Sequence, residues 1–299
     1  MHLSSLFRPK VWTLYMLLRK PGRLLSDKTF LKFKYWALTG KKLNLENPMS
    51  FNEKLQWLKL NDRRTIFTTM ADKHAVREYV KNIIGEEYLI PLLGIWVRPE
   101  DIDFDTLPKQ FVLKCTHDCG SVIICHDKYT FDRDAAIKSL NKCLKENYYW
   151  QGREWPYKNI TPVVIAEECL VDESGVELKD YKVFNFNGVP KMIQVDFDRF
   201  GNHRRNLYST DWKYLGYTSR YPTDPNVVIK RPLQLEKLLD CAKRLSSGIP
   251  FVRTDFYSIN EKIFFGEITF YHGGGMETFY PEEWDFKLGS WIQLPERKT

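Results

Sequence analysis

Two apolar stretches near the C-terminus carry their charges at a period of two, and this pattern constrains the fold more than any other feature. In Phe251-Val-Arg-Thr-Asp-Phe-Tyr, strand alternation puts Arg253, Asp255 and Tyr257 on one face. In Gly266-Glu-Ile-Thr-Phe-Tyr, Glu267 and Thr269 share a face in the same way. Strands are expected over 251–258 and 262–271. Oxygen ligands on adjacent strands suit Mg²⁺, which takes one or two carboxylates and completes its shell with phosphate oxygens and water. The meeting of Asp255 with Glu267 depends on parity. The acids oppose each other if the connection is centred on Glu261 or if a bulge intervenes; a two-residue turn at Asn260-Glu261 without a bulge separates them. Gly273, Gly274 and Gly275 follow, and such a run can bring backbone N–H groups close to an anionic ligand.

The rest of the chain reads as an α+β protein with mainly antiparallel sheets. Ser50 and Glu53 form a capping-box pattern opening a helix to about Leu60. A helix is expected over 71–84 with Gly85 as its stop, one from Asp132 to about Tyr148, and one from Pro232 to near Gly248. Strands are expected over 90–96, 111–115, 122–126 and 163–168, with a hairpin of 181–187 and 190–198 around Asn187-Gly188. The order lacks regular strand–helix alternation, which excludes a Rossmann fold. With 299 residues, and about 150 per domain as a guide, two lobes are expected. We divide the chain into a basic, aromatic, helical segment over 1–45, a small ATP-binding lobe over 46–165 and a metal-binding lobe over 166–299.

Charge is concentrated at the N-terminus. Residues 1–45 hold ten Lys or Arg against Asp27 alone, so the remainder of this +7 chain is slightly acidic. That argues against nucleic acid as a partner, because a basic groove would spread along the protein. Trp12, Tyr15, Phe33 and Trp36 interleave with the cations. A helix pair packed on the body is expected, and peripheral contact with an anionic membrane face is the alternative. The apolar run 11–18 is too short to span a bilayer and lacks a cleavage site, so a cytoplasmic location is expected.

Several further residues suit phosphate chemistry. Lys114 ends an apolar strand and precedes a loop with Gly120 and Ser121, where a cation can neutralise phosphate while backbone amides hold its oxygens. Lys73 and Arg77 stand four apart on a helix. Glu167 and Glu168 end a strand, where an acid can hydrogen-bond a ribose, and Lys182 can meet phosphate. Arg153 and Trp155, within an aromatic segment, suit the wall of a site for an acidic sugar, and Arg199 lies in a second basic loop. Cys115, His117, Cys119, Cys125 and His126 cluster without a familiar zinc spacing.

The order Lys73, Lys114 with its glycine loop, Glu167-Glu168, Lys182, Arg253-x-Asp255 and Glu267-x-Thr269 resembles the ATP-grasp superfamily. More closely, Ser50-Phe-Asn-Glu-Lys-Leu-Gln-Trp-Leu-Lys-Leu, Ala71-Asp-Lys, Leu178-Lys-Asp-Tyr-Lys and Phe265-Gly-Glu-Ile-Thr-Phe-Tyr resemble its branch named for teichuronopeptide biosynthesis, the TupA-like proteins. The resemblance implies a ligase that holds ATP between two lobes and joins a carboxylate to an amine through an acyl phosphate. It implies Lys73 and Lys114 on phosphate, Glu168 or Glu167 on ribose, and Asp255, Glu267 and Thr269 on Mg²⁺. Thr269 stands where the superfamily usually has Asn. Arg253, with Lys182, is implied in catalysis, with Gly120 and Ser121 beside the nucleotide and Gly273 and Gly274 beside the substrate. The family's setting in surface polysaccharide implies a uronic acid and an amino acid as substrates. The competing readings are a metal-dependent glycosyltransferase, through the triplet Asp196-Phe-Asp198, and a small-molecule kinase on the same ATP site.

Overall fold

The computed structural model describes residues 9–17, 19–171, 178–198 and 202–296. The basic segment forms helices α1 (Pro9–Leu17), α2 (Lys20–Arg23) and α3 (Asp27–Thr39). The Ser26 side chain accepts from the Thr29 N–H at the start of α3, and Gly40 closes the helix at φ 78°. Leu17, Phe30, Leu31 and Tyr35 pack on the body, while Trp12 and Tyr15 stay exposed. No helix among the described residues is long and apolar enough to cross a membrane.

Helix α4 (Phe51–Asn61) begins on the expected capping box, with Ser50 and Glu53 satisfying each other's backbone N–H groups. The helix expected over 71–84 is instead two, α5 (Ile66–Ala71) and α6 (Val76–Ile83). Asp72 breaks the run because its carboxylate accepts from the His74 and Ala75 N–H groups, while the Lys73 N–H donates to Thr116 O. Gly85 stops α6 as expected, at φ 124°, with its N–H donating to Val80 O at 3.3 Å.

The first sheet contains β1 (Leu92–Trp96), β2 (Phe111–Cys115), β3 (Val122–Cys125) and β4 (Val164–Glu168) in the order β1-β4-β2-β3, all antiparallel. Helix α7 (Arg133–Leu144), capped by Asp132, covers it, and α8 (Tyr149–Gly152) leads back to β4. Phe104, Phe111, Leu113, Leu140 and Val164 form a separate core here.

The second sheet is larger, with β5 (Asp180–Phe186), β6 (Val189–Phe197), β7 (Arg204–Ser209), β9 (Phe251–Ile259) and β10 (Lys262–Thr269) in the order β10-β9-β5-β6-β7. A short pair of β8 (Thr218–Ser219) and β11 (Phe279–Tyr280) stands beside it. Asn187 and Gly188, both at positive φ, make the tight turn between β5 and β6. One face packs on α9 (Leu235–Leu245), whose Leu235, Leu238 and Leu245 are buried. Helix α10 (Glu283–Trp291) and α4 pack together at the sheet's end. Phe51 of α4 shares the large core with Phe186 and Phe251. The helices before β1 therefore pack with the second sheet, and β4 runs through the 165/166 boundary.

Candidate active site

The other face of the large sheet is polar. Register alignment builds a row across four strands, with Glu267 opposite Asp255, Asp255 opposite Lys182, and Lys182 opposite Gln194. The turn at Asn260-Glu261 has two residues, both at positive φ, which alone would separate the acids. A bulge between Phe265 and Glu267 restores the pairing. Gly266 is the extra residue, and a Cβ there would lie 3.1 Å from Asp255 O, so the bulge uses the missing side chain.

Arg253 organises this face. Its Nε donates to Asp255 Oδ1 at 2.7 Å, and its Nη2 donates to Asp255 Oδ2 at 2.7 Å, Glu267 Oε1 at 2.9 Å and Thr269 Oγ1 at 3.1 Å. Lys182 Nζ donates to Asp255 Oδ2 at 3.0 Å and bonds Asp180 as well. Burial pushes Asp255 up to about 6, against the pull of Arg253 and Lys182. Burial also pushes Glu267 up, but Arg253, Lys182 and Lys73 outweigh it and bring the carboxyl down to about 2.

The three oxygens of Asp255, Glu267 and Thr269 thus converge on one positive centre, the Arg253 Nη2 atom. Two carboxylates and a hydroxyl form an incomplete, all-oxygen shell, and no group of three or more His, Cys, Asp or Glu among the described residues offers a closed one. That donor set fits Mg²⁺, whose remaining ligands come from phosphate and water. It does not fit structural zinc.

Lys73 and Glu267 line one narrow cleft, together with Asp118, Tyr157 and Gly266. The Lys73 Nζ donates to Cys115 O at 3.1 Å and to Asp118 O. Lys114 lies off that lining. It donates to Glu167 Oε2 at 2.6 Å, while Arg77 holds Glu167 Oε1 at 3.0 Å and Ile90 O at 2.8 Å. Glu167 is therefore buried between two cations, and Glu168 is the exposed member of the pair. Ser121 Oγ donates to Asp118 Oδ1 at 2.5 Å and accepts from the Cys115 N–H at 3.0 Å. Gly120 stands beside it at φ 131° with open space around it.

Two expected substrate residues are placed otherwise. Arg153 is 1% exposed, donates to Gly22 O at 2.8 Å, lies 3.6 Å from Asp27 and stacks over Phe30. It clamps the N-terminal helices and does not line an open sugar site, because its guanidinium is buried on Gly22, Asp27 and Phe30. Trp155 packs under Arg63 and Lys158, cations of its own chain. Arg199 lies outside the described residues.

The glycine run is bonded to α4. Gly274 donates its N–H to Tyr271 O at 2.8 Å. Its carbonyl accepts from Gln56 at 2.9 Å and from Lys59 at 2.8 Å, and Gly275 O accepts from Gln56 at 2.7 Å. The loop therefore presents its Gly274 and Gly275 carbonyls to α4. Asn52, Gln56 and Lys59 form a buried polar stripe that the reading of α4 by its apolar face missed. Burial draws Lys59 down to about 8, while Glu154, 3.8 Å away, pulls the other way. Beyond the loop, His272 links the Arg253 guanidinium (2.9 Å) to Glu277 (3.0 Å), and Arg205 joins Asp196 at 2.7 Å. Spacing from the glycine run was the one signal available for His272 and Glu277.

Two antiparallel sheets, with the acid-bearing strand pair of the larger one beside Lys73, agree with an ATP-grasp fold. The sequence profile of the TupA-like ATP-grasp proteins matches residues 53–293, and the chain belongs to that family. No curated protein matches the sequence. Among solved structures, it is similar to the D-alanine–D-alanine ligase of Bacillus anthracis complexed with ATP, at 16% identity and a TM-score of 0.38 over 67% of this chain and 53% of that one. It is also similar to the Helicobacter pylori D-alanine–D-alanine ligase, at 14% identity and TM-score 0.41 over 81% and 69% of the two chains. A RimK-domain ATP-grasp protein of Sphaerobacter thermophilus matches at 10% identity and TM-score 0.40, over 76% and 69%. The chain spans about half the length of the Bacillus anthracis ligase it matches.

Proposed function

We propose that the protein is an ATP-dependent carboxylate–amine ligase that attaches an amino acid or other amine to the carboxylate of an acidic saccharide. The observation that carries this reading is the convergence of Asp255, Glu267 and Thr269 on one cationic point, beside Lys73. Asp255, Glu267 and Thr269 would hold Mg²⁺, which when bound neutralises phosphate oxygens of ATP. Lys73 and Lys114 would bind the phosphates, with Gly120 and Ser121 in the adjoining loop, and exposed Glu168 would meet the ribose. A substrate carboxylate oxygen then bonds to the γ-phosphorus as ADP leaves. The amine nitrogen attacks the resulting acyl carbon, phosphate departs with its C–O bond, and the nitrogen loses a proton. Arg253 and Lys182 stabilise the negative charge that builds on the transferred group and on the acyl oxygen. Such chemistry rests on positioning and cations and needs no nucleophilic side chain. We place the junction between lobes after β4, the enzyme in the cytoplasm, and its product in surface polysaccharide.

The glycosyltransferase alternative needs Asp196 and Asp198 presented to a nucleotide sugar, whereas Asp196 is 3% exposed and bonded to Arg205. Incubation with ATP, Mg²⁺, oligogalacturonate and an amino-acid pool separates the readings. ADP, phosphate and an amide-sized mass gain are expected; ADP with a phosphorylated sugar means a kinase, and no nucleotide turnover with UDP release from a sugar nucleotide means a glycosyltransferase. Glu267→Gln is expected to abolish ADP formation with an unchanged melting temperature, and full activity in that variant removes Glu267 from the site.

A further inference from the structure

A second cavity lies apart from the cleft between Lys73 and Glu267. It is a groove of about 650 Å³ between α3, the segment after it and the end of α4, and it is lined by Lys28, Lys32, Lys42, Leu45, Glu46 and Asn61 among others. Three ammonium groups face one carboxylate there. Other lysines of the same segment are committed. Lys41 pairs with Glu282 at 2.6 Å, Lys34 donates to Gln151 O at 2.5 Å, and Lys10 lies over Trp36. Lys28, Lys32 and Lys42 are all exposed and make no hydrogen bond or ion pair with the described residues. Lys28 and Lys32 stand four apart on α3, where like charges repel and weaken the helix. An arrangement that costs the helix stability is offset when an anion joins the cations.

We propose that this groove binds the acidic acceptor saccharide away from its reacting carboxylate, so that the enzyme grips an extended polyanion and not a lone sugar. The inference rests on the ligase reading for its ligand class. Cations on three separate turns of chain suit charges distributed along a polymer, and the buried Leu45 gives the groove a floor for sugar faces. The groove is joined to the glycine loop through α4. Asn61 lines it, and Lys59, two residues earlier, holds Gly274 O at 2.8 Å. Positions two apart on a helix point to opposite sides, so the groove and the loop that follows the acid pair lie on opposite faces of the end of α4.

The test uses the full chain and fluorescent oligogalacturonate as the probe, with pyrophosphate and phosphatidylglycerol-rich vesicles as separate arms. A Lys28→Gln, Lys32→Gln, Lys42→Gln variant is compared with Lys138→Gln, Lys142→Gln, Lys145→Gln, which removes the same charge from the exposed side of α7. The groove variant is expected to lose about tenfold in affinity for the oligomer, the sum of three modest exposed charge contacts. The α7 variant is expected to change less than about twofold, because exposed charges that far from a ligand are largely screened. Equal losses in both variants, or none in either, overturn the proposal. Full displacement by pyrophosphate at matching affinity overturns it in favour of a compact anion site. Loss confined to vesicle binding overturns it in favour of a membrane surface. With galacturonic acid monomer as acceptor, the groove variant is expected to release ADP at the wild-type rate and to show a raised KM for oligomer alone. Wild type that binds oligomer through these lysines but releases no ADP with any acceptor refutes the ligase reading and leaves the groove standing.

Discussion

Two glycine loops, one after β2 and one after β10, are built on opposite plans. The loop after β2 holds Gly120, around which a Cβ would meet nothing within 4 Å. Its polar groups bond one another, Ser121 to Asp118 and Lys73 to the Asp118 and Cys115 carbonyls. The loop after β10 is packed from outside. A Cβ on Gly275 would lie 2.4 Å from Gln56 Nε2, and one on Gly273 would lie 2.1 Å from Glu277 Cγ. Helix α4 supplies the fixing groups, Asn52 to Glu277, Gln56 to Gly274 and Gly275, and Lys59 to Gly274. The first loop is bonded within itself and to Lys73, and the second is held by a neighbouring helix. The ligase proposed above would use the first plan around ATP and the second around the acyl group.

The contrast predicts that damage to the α4 contacts costs most. Lys59→Met removes a fully buried ammonium and leaves the Gly274 and Gly152 carbonyls and Glu154 without it. A loss of about 3–5 kcal/mol in denaturant unfolding is expected, the range for breaking a buried pair from one side. Hydrogen exchange should accelerate at 273–276. Stability within about 0.5 kcal/mol of wild type, the ordinary effect of a surface change, would mean that α4 does not hold this loop. Gly275→Ala ranks next. It adds a Cβ at φ 65° against Gln56 and Leu55, combining a left-handed backbone cost with overpacking, for about 3 kcal/mol in the same measurement.

The sequence displayed the acid-bearing loop's approach and concealed its anchor. Period-two alternation located β9 and β10 and put Arg253, Asp255, Glu267 and Thr269 on their faces, because strand geometry ties face to parity. It left the register open, since the bulge at Gly266 depends on how closely Asp255 O approaches, a contact between strands. Helix α4 was legible as a helix from its capping box. Its polar stripe was not, because Asn52, Gln56 and Lys59 look like a solvated face until residues more than two hundred positions later cover them. Arg153 misled for the same reason. Its partners at Gly22 and Asp27 lie far back in the chain. The Lys114–Glu167 pair is likewise a cross-strand contact between residues 53 positions apart, which no local spacing announces.

The self-bonded loop should yield less on each change. Ser121→Ala removes the acceptor for the buried Cys115 N–H and the donor to Asp118, for about 1.5 kcal/mol of stability. The larger effect is expected in function, because Asp118 loses a partner beside Lys73; the KM for ATP should rise while kcat changes little. A kcat that falls with an unaltered KM would place Ser121 outside nucleotide binding.

Gly120→Ala is the smallest perturbation and the sharpest comparison with Gly275→Ala. Both add one methyl group to a glycine at positive φ, Gly275 in the left-handed region at φ 65° and Gly120 in the mirror region at φ 131°, and each position carries a backbone cost of at least about 1 kcal/mol. Only Gly275 has a neighbour for the methyl to strike. Gly120→Ala should therefore lose about 1 kcal/mol, roughly a third of the Gly275→Ala value, with no change in exchange protection at 273–276. Equal losses at the two glycines would show that backbone conformation alone sets both costs, and the distinction between a self-bonded loop and one held by a neighbouring helix would fall.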